Sequence, residues 1–257
     1  MVVDGAQSMV AGDSLTEHMA VTPIQRIFAP VKRFTPEWLS GAIRSVGTAA
    51  LTPLYFSARS GHFKSSFKRA AVTPRGDPLP WYTFPCIDFL RQRKFAGRSV
   101  LEFGGGQSSI WWAKQAKRVL TFEGDQAWHD RIRGQMPTNV DLQFVQGDSP
   151  EARVARIQEV LAKDPAERFD VIIIDGLDRR WLVPIACERL APNGIIICDN
   201  SEGYGFHEAF LGRDIDRVDF YGHAPGVILP HCTSVFFRGS AFVFGNDEAE
   251  IRVGYGW

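Results

Sequence analysis

Acidic residues recur at the ends of apolar runs in the C-terminal part of this 257-residue chain. Glu102 stands just before three glycines, while Glu123, Asp148, Asp175 and Asp199 each come at or just after the end of an apolar run. Carboxylates can accept hydrogen bonds from hydroxyl groups, take up a proton or bind a cation. If the apolar runs are strands that end side by side, the pattern predicts a ligand-binding site.

The residues around these acids favour a nucleotide-like ligand. Gly104, Gly105 and Gly106 let the backbone turn tightly and let a ligand approach without a Cβ in the way. Ser108 follows at the expected start of a helix, whose free N–H groups can face a ligand. Glu123 lies 21 positions after Glu102, where an acid can accept both hydroxyls of a ribose.

Strands and helices alternate from residue 98 onward. The strands are expected at 99–103, 118–122, 140–145, 170–174 and 194–198, with helices at 108–116, 126–134, 150–163 and 181–190. The central strands are apolar throughout, which is typical of a parallel sheet covered on both faces. Residues 217–221 and 233–238 predict a late antiparallel pair, and residues 240–244 an extension of that edge. Parallel strands end at one edge of a sheet, so the acids should meet there.

The N-terminal part has a different character. Residues 1–80 are expected to form a flexible tail and a helical cap, with Thr35 as the cap of a helix that starts at Pro36 and residues 74–80 as an extended linker. Residues 81–257 are expected to form the main domain. Residues 1–98 hold 13 Lys/Arg and 6 Asp/Glu, a net charge of +7, and the remainder carries −7. The cap is therefore predicted to complement an acidic domain.

Composition excludes several classes of protein. The formal net charge is zero, which argues against a surface built for nucleic acid. No apolar run reaches 18 residues and no secretion signal is evident, so neither a membrane partner nor export is expected. The four cysteines form no CxxC pair and are interpreted as buried free thiols in a reducing cytoplasm. The expected partner is a small-molecule acceptor, and formation of a homo-oligomer is left open.

The ordered set of motifs resembles the class I S-adenosylmethionine-dependent methyltransferases over residues 81–245. The set comprises Glu102-Phe-Gly-Gly-Gly106, Glu123, Gly147-Asp148, Phe169–Asp175 and Leu190-Ala-Pro-Asn-Gly194. The resemblance implies an α/β, Rossmann-like, doubly wound and mostly parallel seven-stranded sheet with a late antiparallel hairpin. It also implies that S-adenosylmethionine is the cofactor, with Glu123 on its ribose, Asp148 near its adenine and Ser108 in place of the usual third glycine. The residues expected at the cofactor are Glu102, Gly104, Gly105, Gly106, Ser108, Glu123, Asp148, Ser149 and Asp175.

A metal and a base are the further expectations. Asp175, Asp199 and Asn200 offer hard oxygen ligands and are similar to the metal site of cation-dependent O-methyltransferases, which implies Mg²⁺. Asp175 and His231 are the candidate catalytic residues, because a histidine near neutral pKa suits proton removal. No lysine follows Asp175 closely, as one often does in those enzymes, so these acids could instead orient the substrate or cap helices.

The predicted function is transfer of a methyl group from S-adenosylmethionine to oxygen in a small polyhydroxylated metabolite. One alternative is an aminopropyltransferase resembling spermidine synthases, which Asp175-Gly-Leu-Asp178 matches only in part. A second alternative is a non-catalytic protein that binds S-adenosylmethionine. A nicotinamide dehydrogenase is disfavoured, because Ser109 stands where the Gly-x-Gly-x-x-Gly motif requires its last glycine.

Overall fold

The computed structural model describes residues 36–245, apart from the side chains of Glu37 and Trp38. The predicted tail and the predicted cap Thr35 lie outside the described residues. The chain divides into two compact units, residues 1–53 and 54–257. Helix α1 (Glu37–Arg59) begins directly after Pro36, as expected from the proline. The role of residues 1–80 as a cap on an acidic domain stays a prediction.

The second unit contains a seven-stranded sheet. Its strands are β1 (Ser99–Phe103), β2 (Arg118–Glu123), β3 (Val140–Phe144), β4 (Phe169–Ile174), β5 (Leu190–Asp199), β6 (Asp216–Gly222) and β7 (His231–Phe237). Their order is β3-β2-β1-β4-β5-β7-β6. Strands β1 to β5 pair in parallel, and β7 is antiparallel to both of its neighbours. The predicted fold class, a mostly parallel Rossmann-like sheet with a late reversed hairpin, is confirmed.

Seven further helices accompany the sheet in the described residues. They are α2 (His62–Lys68), α3 (Phe84–Arg91), α4 (Gln107–Ala113), α5 (Gln126–Ile132), α6 (Pro150–Leu161), α7 (Arg179–Arg189) and α8 (Phe206–Phe210). Helices α4 to α7 lie where the sequence predicts them, within two or three residues. Helix α8 is short and was not predicted; it follows Gly205, whose left-handed backbone starts it.

Alternation along the central strands explains why they are apolar throughout. Neighbouring residues of a strand point to opposite faces. Ile172 and Ile174 of β4 belong to one core cluster with α6, α7 and α8, and Val171 and Ile173 belong to the other with α3 and α4. Both faces of the sheet are therefore covered, as the sequence predicts. Trp112 is fully buried in the second cluster, where it packs against the core.

The segment before α3 is folded more tightly than predicted. Val72 and Pro78 form an antiparallel bridge, and the backbone N–H of Leu79 donates to Ala71 O at 2.9 Å. Ala71 and Leu79 are fully buried, because their side chains complete the core beside α3. The expectation of an extended linker over 74–80 is therefore wrong: proline and glycine close a turn here.

The predicted extension of the sheet by residues 240–244 is also wrong. Phe242–Phe244 form a 3₁₀ turn instead. The turn buries Val243 completely and places Phe242 against Phe95 and Phe244 against Phe237. Packing of these side chains into the core outweighs continuation of the strand.

Two further expectations can be compared with the described residues. The four cysteines are free and buried, as predicted. Within residues 36–245, no helix combines the length and apolar character needed to cross a bilayer.

The loops that leave β1 and β4 cross in backbone contact. Gly104 adopts a left-handed φ of 101°, and a Cβ on it would lie 2.6 Å from Gly176 Cα. A Cβ on Gly176 would lie 2.8 Å from Gly104 Cα and 2.9 Å from its nitrogen. Neither backbone can shift without moving a strand end. The two glycines therefore permit the crossing that places both loops at one site.

Gly176→Ala is expected to lower the free energy of unfolding by about 2 kcal/mol or more, as for overpacking against rigid atoms. Gly176 has no positive φ, so the loss would report the steric contact rather than backbone strain. Urea unfolding would measure it. Gly134→Ala is the control, since a Cβ there has no atom within 4 Å. Equal stability of the two variants would contradict the crossing.

Candidate active site

A cavity of about 630 Å³ opens at the carboxyl ends of the parallel strands. This volume lies in the range of roughly 300–1,000 Å³ typical of small-molecule sites. Its lining comes from the ends of β2 and β5, from the loops after β1, β2, β4 and β5, from the first turns of α4, α5 and α7, from the segment before α3, and from the β6–β7 loop with the start of β7. The lining residues are Leu79, Trp81, Gly104, Gly105, Gly106, Gln107, Ser108, Glu123, Asp125, Trp128, Asp175, Gly176, Leu177, Arg179, Asp199, Asn200, Tyr204, Val227 and His231.

The glycine loop forms one wall, as predicted. Its conformation is held by side chains on both sides: Ser109 Oγ accepts from Gly106 N at 3.0 Å, and Trp128 Nε1 donates to Gly105 O at 2.7 Å. A Cβ on Gly105 would lie 2.9 Å from Thr121 Cγ2, so that position excludes a side chain. Trp128 was missed by the sequence analysis, because nothing in the composition of α5 marks one tryptophan as a loop partner.

Glu123 lies at the cavity with its carboxylate fixed by backbone donors. Oε2 accepts from Gly105 N at 3.0 Å, and Oε1 accepts from Asp125 N at 2.8 Å. Burial raises the pKa of Glu123, and these N–H groups oppose the rise. A carboxylate has about four acceptor positions, so lone pairs remain for hydroxyl donors. The position suits the predicted contact with a ribose.

Glu102 is fully buried beneath the glycine loop and does not line the cavity. Its Oε2 accepts from Ser109 Oγ and, at 3.0 Å, from Thr121 Oγ1. Burial raises its pKa to about 7, against the lowering effect of the neighbouring hydroxyls. The structure thus places Glu102 as a support: through Ser109 it holds the N–H of Gly106.

Asp148 and Ser149 are not brought to the cavity. Ser149 caps α6 by accepting from Ala152 N at 3.2 Å, and Asp148 is exposed. The loop that carries them is tied by Arg153, which donates to Gly147 O at 2.6 Å and pairs with Asp178. Contacts of Asp148 and Ser149 with an adenine stay a prediction.

The oxygen cluster predicted to bind Mg²⁺ is engaged by an arginine. Arg179 Nη2 lies 3.0 Å from Asp175 Oδ1, and Nη1 donates to Asn200 Oδ1 at 3.2 Å and to Asp199 O at 2.6 Å. Within the described residues, no three His, Cys, Asp or Glu side chains are grouped as metal ligands. Because Arg179 already engages Asp175 Oδ1, Asn200 Oδ1 and Asp199 O, these residues do not fit a divalent ion, and the prediction of Mg²⁺ receives no support.

Asp175 is a partly buried acid of the lining, with 17% of its side chain exposed. Burial and the neighbouring carboxylate of Asp199 raise its pKa well above the ordinary value, and Arg179 opposes this rise. Arg179 itself carries no sequence signal that marks it as the partner of Asp175. Its contact with Asp199 and Asn200 joins residues about 20 positions apart, which the sequence cannot reveal.

His231 lies beside Asp199, with 3.4 Å between Nε2 and Oδ1. Its interaction with Asp199 raises the pKa of His231 above the ordinary value. Asp199 Oδ1 also accepts from Thr233 Oγ1 at 2.7 Å, and Thr233 Oγ1 accepts from Thr83 N at 2.9 Å. Asp199 is thus fixed from the segment before α3 through β7, and it can orient His231 and stabilise its charged form.

Apolar side chains complete the walls. Leu79, Trp81, Leu177, Tyr204 and Val227 line the cavity. Trp81 Nε1 donates to Pro225 O at 3.1 Å, which ties the aromatic segment before α3 to the β6–β7 loop. Tyr204 and Val227 were not predicted from the sequence, because loop residues carry no periodic signal.

No protein-family model matches the chain, and no curated protein matches it. Among solved structures, it is similar to precorrin-8W decarboxylase of Methanobacterium thermoautotrophicum, at 17% identity and a TM-score of 0.44 over 67% of this chain and 97% of that one. It is similar to an O-methyltransferase of Bacillus cereus in complex with SAH, at 17% identity and a TM-score of 0.43 over 59% and 77% of the two chains.

A third similar structure is the N-methyltransferase NodS of Bradyrhizobium japonicum, at 16% identity and a TM-score of 0.40 over 60% of this chain and 93% of that one. At such identities and scores, these likenesses carry no conclusion about activity or substrate.

Glu102→Gln is expected to change how stability depends on pH. The pKa of Glu102 is raised from 4.5 to about 7 in the folded protein, so its contribution is full below about pH 4.5 and is lost as pH rises through 7. The loss amounts to on the order of 3 kcal/mol. The neutral glutamine keeps an oxygen acceptor and avoids that loss. The free energy of unfolding of the variant should therefore rise relative to that of the wild type between pH 5 and 8.

Urea unfolding across this pH range would measure the difference. Glu159→Gln, at an exposed position of α6, is the matched control and should show no such trend. A constant difference between Glu102→Gln and the wild type at every pH would contradict the buried position of this carboxyl.

Proposed function

We propose that the protein is an S-adenosylmethionine-dependent methyltransferase that methylates a hydroxyl oxygen of a small polyhydroxylated metabolite. The observation that carries the proposal is the lining of one cavity. The glycine loop and Glu123 supply the features suited to a nucleoside, and the paired His231 and Asp199 supply a means of removing a proton. Donor and acceptor can therefore share one cavity, which direct transfer requires.

The cofactor site would be formed by residues that the structure already holds in place. Glu123 would accept the two ribose hydroxyls with the lone pairs that its backbone donors leave available. The glycine loop would let the cofactor approach the backbone, since no side chain projects from it. S-adenosylmethionine, when bound, supplies a methyl group that is electrophilic because its sulfur is positively charged.

His231 would act on the acceptor. With Nε2 facing Asp199, Nδ1 is the ring nitrogen that can take the proton of the acceptor hydroxyl. Asp199 would stabilise the resulting imidazolium, as its effect on the pKa of His231 indicates. His231 would thus hold the proton that the acceptor oxygen gives up when the methyl group leaves the sulfur of S-adenosylmethionine, with S-adenosylhomocysteine as the other product.

The walls support a small acceptor with several polar groups. Trp81 offers a flat apolar face to ring or chain carbons, and Asn200 and His231 offer polar groups to hydroxyls in the same cavity. Leu79 and Val227 would help exclude water from the reacting oxygen. Exclusion of water there would favour transfer to the acceptor over side reactions.

Glu123→Gln is expected to weaken the binding of S-adenosylhomocysteine about tenfold or more, because a charge-assisted hydrogen bond contributes about 1.5–3 kcal/mol. Isothermal titration calorimetry would measure the Kd. Glu159→Gln repeats the substitution on an exposed helix face and should bind like the wild type. Equal affinity of the Glu123 variant would remove the ribose assignment, and no binding by the wild type would remove the proposed cofactor.

Asp199→Asn is expected to lower the pKa of His231 toward its ordinary value. The contact of His231 with the Asp199 carboxylate is the main cause of the raised pKa, and the negative charge of Asp199 adds to it. Asparagine removes this charge and keeps an oxygen for Thr233. Titration of the histidine ring resonances by NMR would measure this, with His231→Gln to assign the signal. An unchanged His231 titration would disprove the pairing.

The pH dependence of activity should shift in the same direction as the pKa of His231. If His231 accepts a proton, the rate falls as pH drops below its pKa, and Asp199→Asn should move that fall to lower pH. Formation of S-adenosylhomocysteine from S-adenosylmethionine over a panel of sugars and other polyols would measure the rate. Transfer of an aminopropyl group from the decarboxylated donor, without methyl transfer, would instead establish the alternative activity.

A further inference from the structure

Arg179 contacts both the loop after β4 and the loop after β5. It is the first residue of α7 and is nearly buried, with 11% of its side chain exposed. Besides Asp175, Asp199 O and Asn200 Oδ1, its guanidinium reaches Gly176 O, to which Nε donates at 3.1 Å. One side chain thus holds oxygens from the loops after β4 and after β5.

Strained backbone surrounds this arginine. Five non-glycine residues of the described chain have positive φ, and three of them adjoin Arg179: Asp178, Asn200 and Tyr204. Asn200 is its hydrogen-bond partner, and the Tyr204 ring centroid lies 4.2 Å from its Cζ. Such conformations cost free energy and persist where surrounding contacts impose them. Arg179 contacts Asn200 and Tyr204 and follows Asp178 directly in the chain, so it links the three residues with positive φ.

A guanidinium and a divalent ion cannot share these oxygens. Arginine carries a permanent charge and directs its donors in a rigid plane, so the lone pairs it engages are not available to a metal. A divalent ion placed among them would also meet a positive charge at contact distance. The disagreement between the predicted metal site and the structure therefore has a specific cause.

We propose that Arg179 is the resident cation of this site, a positioning residue that holds Asp175 and Asn200 at the cavity in the place of a divalent metal. Its guanidinium fixes the two loops in their strained conformations, and ligand binding needs no metal. The statement about ligand binding rests on the proposed function, whereas the statement about the metal does not. The two parts are tested separately.

The first experiment uses Mn²⁺ as the probe. The wild type should bind no Mn²⁺ at this site. Its Tm in buffer free of divalent ions should therefore not change when millimolar Mn²⁺ is added. Arg179→Ala frees Asp175 Oδ1, Asn200 Oδ1 and Asp199 O, which are hard ligands that Mn²⁺ accepts. We expect Mn²⁺ to raise the Tm of this variant by about 3 °C, reversibly with EDTA.

Two further variants make the result specific. Arg180→Ala removes the neighbouring arginine, which is exposed and stacks on Trp181, and should respond to Mn²⁺ like the wild type. Adding Asp175→Asn to Arg179→Ala should abolish the gain. The proposal would be overturned if the wild type bound Mn²⁺ saturably and Asp175→Asn removed that binding. It would also be overturned if Mn²⁺ did not raise the Tm of folded Arg179→Ala. If Arg179→Ala does not fold, the wild-type arm decides it, together with Arg179→Lys, which should also remain insensitive to Mn²⁺.

The second experiment measures the Kd of S-adenosylhomocysteine by calorimetry. Equal affinity of the wild type in EDTA and in Mg²⁺ is expected, and a tenfold loss in EDTA would overturn the proposal. Arg179→Ala should bind S-adenosylhomocysteine about tenfold more weakly than the wild type, and Arg179→Lys should recover part of this loss. The control Arg180→Ala should bind like the wild type. If the wild type binds no S-adenosylhomocysteine, the proposed function fails while the Mn²⁺ result still stands.

Discussion

Four carboxylates lie buried or nearly buried at one edge of the sheet, and each requires a partner, since a charge taken out of water without compensation is costly. Glu102 has two hydroxyls, Glu123 has two backbone N–H groups, Asp175 has Arg179, and Asp199 has Thr233 and His231. These partners come from helices, loops and the reversed hairpin. Compensation of the four acids therefore ties the elements around the cavity together.

The partner of each acid also determines what that acid can do chemically. Glu102 has only hydroxyl donors and sits near neutral pKa, which suits a support rather than a binding charge. Glu123 is fixed by neutral N–H groups, so its charge stays available to a ligand. Asp199 has a titratable partner and Asp175 a permanent one. The contact between Asp199 and His231 can therefore change with pH through the histidine, whereas Arg179 keeps its charge beside Asp175.

Much of this arrangement follows from local patterns. Apolar runs of five or six residues gave β1, β2 and β4 nearly to the residue, because strands buried on both faces need no polar alternation. The acids and glycines at their ends were found for the same reason: a strand must stop where the chain turns polar. The reversed pair β6 and β7 was also found. Residues 240–244 were not, since a short aromatic segment can pack either as a strand or as a turn.

The sequence by itself therefore determined the sheet, its strand ends, and the presence of Gly104, Glu123, Asp175, Asp199 and His231 at one edge. The tertiary structure decided what each acid contacts. Arg179 could have met solvent or substrate, and Trp128 could have met the core; their partners come from other loops, at separations that no local pattern encodes. The physical reason is that strand formation depends on neighbouring residues, whereas the partner of a buried charge depends on which loops the whole fold brings within 3 Å or so of it.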